Sequence, residues 1–538
     1  MRPMTTHQLL AEKDNCIRER DQQLQAQQQQ IQEQQQEISE LKQKVTMLEQ
    51  AVGLERKRSF GRKSEQSETV EQMSLFNEAE QDASAKSVEP QLTETPVKAH
   101  IRKKKFQGQK EQLLSTVPHE EQLHTLPEEE RVCAACGAPL SSMGKELIRT
   151  EIQFIPAKLR IIDHVRETFE CRQCRSQGHP TVVKPVLPNP VLPHSSVSAS
   201  AIAHVMVQKY QNGLPLYRQE QEWRDLGLEL HRATLANWIL GTAREWLQPL
   251  ADRMHQDLLQ QPYLHADETV VQVLHAQGRQ PNKHQSYMWV YSTGKYGCAH
   301  AIRLFEYQPG RSGDAARVYL DSFAGYLHTD GYAGYHKVTG VTHCYCWSHV
   351  RRKFHDAATV PLNEQEGTLA KEAVHQINRL FELEKSVTDL NTEERKQARI
   401  EKEKPILSAF WQWIGQNQGR ILPKSALGKA MAYAVNIRKG LEAYLEDGNC
   451  EISNNIAENS IRPFTIGRKN WLFCNSTKGA QASAAVYSLI ETCKANDVDA
   501  FRYLQYVMEQ LPNVSFRQNP ATLDSYLPWS KLVKEHCK

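Results

Sequence analysis

Tyr263-Leu264-His265-Ala266-Asp267-Glu268-Thr269-Val270-Val271-Gln272-Val273-Leu274 is the stretch that decides the fold. It reads as a short buried strand: aromatic and β-branched residues dominate, no Gly or Pro interrupts it, and Pro262 stands just before it. Alternation puts His265, Asp267 and Thr269 on one face and Ala266, Glu268 and Val270 on the other. A carboxylate in mid-strand is costly unless a metal, a cationic partner or a catalytic task accounts for it. Asp267 is therefore the first candidate functional residue, with Glu268 as its neighbouring rival.

Downstream, residues 286–292 and 299–307 form two more strand-like runs, with turns at Thr293-Gly294 and Pro309-Gly310. Residues 315–323 have a helical pattern, which would place Asp321 on a helix. Gly325-Tyr326-Leu327-His328-Thr329-Asp330-Gly331-Tyr332-Ala333-Gly334-Tyr335 is then a strand ending on a carboxylate and running into glycine turns. Three strands, a helix and a fourth strand carrying Asp330 is the order of a ribonuclease-H-like fold. That order makes the first and fourth strands neighbours and sets Asp267 beside Asp330. Two adjacent carboxylates repel unless a divalent cation lies between them, and Mg²⁺ favours such oxygen ligands. A further strand at 341–347 leads into Ser348-His349-Val350-Arg351-Arg352-Lys353-Phe354, and residues 362–450 read as a charged helical insertion.

Upstream, residues 195–255 turn helical. Helix, glycine turn at Gly227 and helix again is helix-turn-helix shape, leaving Arg232, Thr234 and Asn237 to face a DNA groove. Before it, at 131–184, stand Cys133-Ala134-Ala135-Cys136 and Cys171-Arg172-Gln173-Cys174, separated by a strand-rich stretch. Two C-x2-C knuckles are zinc-ribbon spacing, and four thiolates fill a tetrahedral shell, so this zinc is structural. Residues 57–130 read as an acidic, Ser/Thr-rich linker interrupted by the basic knot Arg102-Lys103-Lys104-Lys105. From 7 to 56, Leu10, Ile17, Leu24, Ile31, Ile38, Val45 and Val52 recur every seventh residue. The alternate core positions are polar until Leu41 and Leu48, so this is a zipper that pairs most strongly near its end and makes the chain a homo-oligomer.

Composition adds limits. Lys+Arg 66 against Asp+Glu 63 gives only +3, so local clusters rather than net charge must carry any contact with nucleic acid. No apolar run reaches membrane-spanning length and the N-terminus lacks the apolar core of a signal peptide, so an intracellular protein is expected. Twelve cysteines then serve as metal ligands or reduced thiols.

The runs His265-Ala266-Asp267-Glu268-Thr269, His328-Thr329-Asp330-Gly331-Tyr332-Ala333-Gly334-Tyr335, Cys346-Trp347-Ser348-His349-Val350-Arg351-Arg352-Lys353-Phe354 and Asn454-Asn455-Ile456-Ala457-Glu458-Asn459-Ser460-Ile461-Arg462-Pro463-Phe464 resemble the insertion-sequence-66 family of bacterial DDE transposases. So do Ile466-Gly467-Arg468-Lys469-Asn470-Trp471, the Phe60-Gly61-Arg62-Lys63-Ser64-Glu65-Gln66 element and the Leu527-Pro528-Trp529 tail. The resemblance extends over almost the whole chain. It implies a catalytic triad of Asp267, Asp330 and Glu458 holding two Mg²⁺ (or Mn²⁺) ions. It also implies binding of terminal inverted repeats, cleavage and strand transfer into target DNA, with accessory proteins of the same element as partners. The site would be the bacterial cytoplasm, at the nucleoid when DNA is bound. The insertion then separates a first catalytic part at 260–361 from a second at 451–510, with a tail at 511–538. Cys346 and His349 resemble a C-x2-H signature that supports the active sites of related transposases; for zinc at this pair, only Cys344 lies close as a third ligand. Arg351, Arg352, Arg462, Arg468 and Lys469 flank the motifs as candidate phosphate contacts. Competing readings are a ribonuclease-H-like nuclease without strand transfer and a DNA-binding regulator that has lost catalysis.

Overall fold

The computed structural model describes residues 6–60, 145, 158–170, 182–275 and 285–538. The chain divides into two compact units, one of Met1–Gly61 with Ile162–Lys538 and one of Arg62–Ile161. The linker, the basic knot, Cys133, Cys136, Cys171 and Cys174 lie outside the described residues.

Helix α1 spans Thr6–Phe60. Leu24, Ile31, Ile38, Leu41, Val45, Leu48 and Val52 are all half exposed or more, so the heptad seam is open along the single chain. Gln50 is the exception: its amide nitrogen donates to the Val360 carbonyl at 2.9 Å and its oxygen accepts from the Ala426 amide at 3.1 Å, docking the helix end on the catalytic body. Phe169–Glu170 (β1) pairs antiparallel with Val182–Val183 (β2). The strand-rich stretch expected before them is not seen at 158–168, where Ile161, Ile162 and Val165 are exposed and form no ladder.

Four helices follow: α2 Ala199–Tyr210, α3 Leu216–Asp225, α4 Arg232–Thr242 and α5 Gln248–Leu259. Gly227 turns between α3 and α4 at φ +90°, a conformation that favours glycine. Helix α4 runs on through a π turn at Ala243–Leu247 directly into α5. Ile202, Met206, Leu235, Ile239 and Met254 enter the same hydrophobic core as Trp289 and Leu304 of the central sheet.

That sheet contains β3 Tyr263–Val271, β5 Ser286–Thr293, β6 Arg303–Gln308, β7 Tyr326–Thr329 and β8 Thr342–Tyr345, in the order β6-β5-β3-β7-β8. The first three strands are antiparallel; β3-β7 and β7-β8 are parallel. A short strand β4, Val273–His275, continues β3 and pairs parallel with β9, Cys474–Ser476. Between β6 and β7 lies α6, Gly313–Tyr319, shorter than expected: the chain leaves the helix at Leu320, and Ser322 adopts φ +69°. Asp321 is thus on an exposed turn rather than a helix.

Helix α7, Trp347–Thr359, opens the second hydrophobic cluster, in which Trp347 and Phe354 meet Ile377, Phe410 and Met431 of the insertion. The insertion is α8 Glu364–Ser386, α9 Thr392–Asn417, α10 Ala426–Asn436 and α11 Arg438–Glu442. A reciprocal cap between Asn391 and Glu394 starts α9. The chain then returns as α12 Asn455–Trp471, α13 Thr477–Ala495, α14 Ala500–Gln510 and α15 Lys531–Cys537. Helix α13 is buried along most of its length and covers one sheet edge: the Phe305 and Arg303 amides of β6 donate to Ser488 Oγ at 2.8 Å and Thr492 Oγ1 at 3.0 Å. The opposite edge, β8, meets α11 so closely that a Cβ on Gly440 would lie 2.2 Å from the Tyr345 ring and 3.0 Å from the His343 carbonyl.

Candidate active site

The β3-β7 register aligns His265 with His328, and two residues beyond each stands a carboxylate, Asp267 and Asp330. The strand neighbourhood expected for the two acids is therefore present. Asp267 Oδ1 accepts a backbone hydrogen bond from Glu268 N at 2.9 Å. Burial first, then the carboxylates of Glu268, Glu458 and Asp330, push its carboxyl well above the usual range. Asp330 Oδ1 accepts from Tyr332 N at 2.8 Å, while its carbonyl accepts from the Tyr433 hydroxyl of α10. Gly331, at φ +83°, reverses the chain directly after it.

Glu458 lies in the first turn of α12. Asn454, immediately before the helix and fully buried, fixes that turn to the sheet. Its Nδ2 donates to the Ala266 carbonyl at 2.8 Å, its Oδ1 accepts from His265 Nδ1 at 3.1 Å, and its amide donates to Cys346 Sγ at 3.1 Å. One side chain thereby ties the Glu458 helix to the residue preceding Asp267. Further along, Ser292 Oγ donates to Ser460 Oγ at 3.3 Å, and Arg468 donates to Thr269 Oγ1 at 3.1 Å and to the Val270 carbonyl.

His349 Nδ1 stands 3.5 Å from Glu458 Oε1 without hydrogen-bond geometry, and Arg352 Nη2 is 3.8 Å from Oε2. Burial holds the His349 imidazole below its ordinary pKa. The third group near Cys346 and His349 is Glu458, not Cys344; their ligand atoms lie within 4.8 Å of one another. Cys344 belongs to a different cluster with His328 and Cys450.

Glu268 takes the opposite strand face, as expected, where its side chain is a buried structural charge. Arg311 Nη2 and Nε lie 2.5 and 2.7 Å from its Oε1, and Tyr335 donates to Oε2 at 2.5 Å. Among the candidate DNA contacts, Arg468 is engaged by β3, and Arg351 Nε donates to Asn378 Oδ1 of α8 at 2.6 Å. Both hold the fold together. Arg352, Lys469, Arg232 and Asn237 are exposed, and Arg462 and Thr234 are half-buried. Thr234 and Asn237 line a cleft of about 660 Å³ with Trp238, Arg244 and Trp246. Residues whose roles composition and spacing did not disclose are Asn454, His265 and Tyr433. The only trace of Asn454 is its place as a polar residue directly before a helix.

Among the described residues, the cations beside the acids around Asp267 are Arg311, directed at Glu268, and the exposed Arg352, 3.8 Å from Glu458, while burial and the neighbouring carboxylates still raise the Asp267 carboxyl. Such a donor set fits a divalent metal, with oxygen ligands and a high local negative field. Comparison with known proteins agrees. A model described as "Transposase IS66 family" matches residues 194–482, more than half of the chain. A "zinc-finger binding domain of transposase IS66" matches residues 130–175, which hold all four knuckle cysteines, and an "IS66 C-terminal element" matches 488–529. Two similar curated proteins of Sinorhizobium fredii (strain NBRC 101917 / NGR234) are described as "Uncharacterized protein y4hP" and "Uncharacterized protein y4qI". The first is 28% identical over 417 residues, 74% of this chain and 73% of the relative. The second is 29% identical over 426 residues, 77% of this chain and 76% of the relative. With the matches running in order from the zinc-finger region to the C-terminal element, this chain belongs to the IS66 family of transposases, enzymes that act on DNA.

Proposed function

We propose that the protein binds the terminal inverted repeats of an insertion sequence, cleaves the DNA there and joins the freed 3′ ends to a target by a DDE mechanism on a ribonuclease-H-like sheet. The observation that carries this reading is the Asn454 anchor, which brings the Glu458 helix onto the strand of Asp267. Asp267, Asp330 and Glu458 would hold Mg²⁺ or Mn²⁺, which when bound would supply activation of the attacking oxygen and stabilisation of the departing 3′-oxygen. The protein's own residues do the rest. Asn454 and Cys346 set the helix turn; Tyr433 holds the Asp330 backbone; Arg352 sits where it balances Glu458 and faces incoming phosphate. His349 stands beside Glu458, its imidazole held below the ordinary pKa by burial.

Cys133, Cys136, Cys171 and Cys174 form the structural zinc site of the ribbon. Arg232, Thr234 and Asn237 contact the repeats, helped by Arg462 and Lys469, and α1 pairs two copies on paired ends. The test uses labelled element ends in Mg²⁺ and in EDTA. Asp267→Asn, Asp330→Asn and Glu458→Gln each abolish cleavage and strand transfer while repeat binding stays within about threefold of wild type, since metal ligands add nothing to sequence readout. Wild-type cutting by any one variant removes that residue from the triad. Nicks without joined products point to a nuclease.

A further inference from the structure

A second cluster lies one layer behind the acids. The β7-β8 register sets His328 beside Cys344, and Cys450 reaches the same place from the segment leading into α12. All three are buried, and their ligand atoms lie within 4.8 Å of one another. None has a part in the catalytic arrangement above. We infer that His328, Cys344 and Cys450 bind a zinc ion that clamps together the three segments carrying Asp330, the C-x2-H pair and Glu458.

The chemistry suits zinc. Two thiolates and one imidazole are a soft N/S donor set, typical of closed tetrahedral sites. His328 Nδ1 stands 3.3 Å from the Leu264 carbonyl, to which it can only donate, so the lone pair is on Nε2. A backbone carbonyl that fixes the tautomer in this way is the usual support of a metal-binding histidine. The Glu451 amide now donates to that Nε2 at 3.1 Å, so amide and metal compete for one lone pair.

A second, independent feature is the buried polar pair beside the cluster. His265, fully buried, stacks on His328 with ring centroids 4.2 Å apart. Its Nδ1 donates to Asn454 Oδ1, which leaves a lone pair on Nε2. That nitrogen has no hydrogen-bond partner and faces Glu451 Oε2 at 3.2 Å. Two lone pairs pointed at each other in a buried site call for a shared proton or a nearby cation. At the neighbouring cluster His328, Cys344 and Cys450 supply three ligands, and water fills the fourth position.

The test counts zinc in the full-length protein, kept in excess Mg²⁺ so that the carboxylate site does not retain it. Cys133→Ser with Cys136→Ser removes the ribbon site without touching the buried cluster. This variant is expected to keep one zinc per chain, as a Cys2His site requires. Adding Cys450→Ala is expected to release it. Co²⁺ exchanged into the ribbon variant should show charge-transfer bands of two thiolates, and zinc removal by chelator should lower Tm. A ribbon variant that carries no zinc overturns the site, as does a Co²⁺ spectrum with one thiolate, which would locate the ion at Cys346 and His349. Retention of zinc by the Cys450→Ala form also overturns it. DNA cleavage is not a readout, so failure here is distinct from failure of the transposition mechanism.

Discussion

Asn454 replaces what would otherwise be three unpaired buried groups: the Ala266 carbonyl, His265 Nδ1 and its own amide at Cys346. Asn454→Ala strands the first two, at about 1–3 kcal/mol each. Urea unfolding should show that loss, and cleavage should fall at least about tenfold, because small displacements of catalytic groups are expensive. The raised carboxyl of Asp267 gives a second prediction. Its folded-state pKa lies above the ordinary 3.8, so the fold favours the protonated acid, and this contribution is lost as pH rises through the raised value. A divalent cation binds the ionised form. The increase in Tm caused by Mg²⁺ should therefore be large at neutral pH and fade toward acid pH, and Asp267→Asn should raise the metal-free Tm and abolish the Mg²⁺ effect. An Mg²⁺ effect independent of pH would contradict this. Asp267 was legible from alternation, since a carboxylate among β-branched residues demands a reason, and Asp330 from its place at the end of the fourth strand in the element order. The role of Asn454 was not, because its partner Ala266 is 188 residues away and a lone asparagine carries no period.

At the scale of elements, the insertion is braced internally by a buried arginine, Arg399. Arg399 Nε and Nη2 reach Glu384 at 2.5 and 3.0 Å, and Nη1 donates to the carbonyls of Tyr444, Asp447 and Gly448 just before the Glu458 segment. Arg399→Met should destabilise by about 3–5 kcal/mol, since it leaves a buried carboxylate without its partner. Adding Glu384→Leu should recover part of that loss in the same unfolding assay. Periodicity announced the helices of this insertion and the strands of the sheet, because amphipathic faces follow the element's own repeat. It overran at 315–323, where the chain leaves regular helix at Leu320. The arginines were legible as charges, but not as Arg468 gripping β3 or Arg351 gripping α8; only the folded chain shows which cations face inward.

For the whole molecule, the exposed seam of α1 predicts a concentration-dependent oligomer. Ile38→Glu with Val45→Glu should raise the dissociation concentration at least about tenfold in sedimentation experiments, while unfolding of the catalytic body is unchanged. A wild-type chain that stays monomeric at high concentration would exclude pairing through this helix. The two covered edges of the central sheet bear on the same question. Open edges recruit foreign strands and seed both aggregation and strand-exchanged assemblies. Here hydroxyls of α13 occupy the amides of one outer strand, and the tight approach of α11 shields the other. Growth of the sheet across a molecular boundary is thereby closed off. Copies brought close together on DNA are kept from adding strands to one another's central sheet.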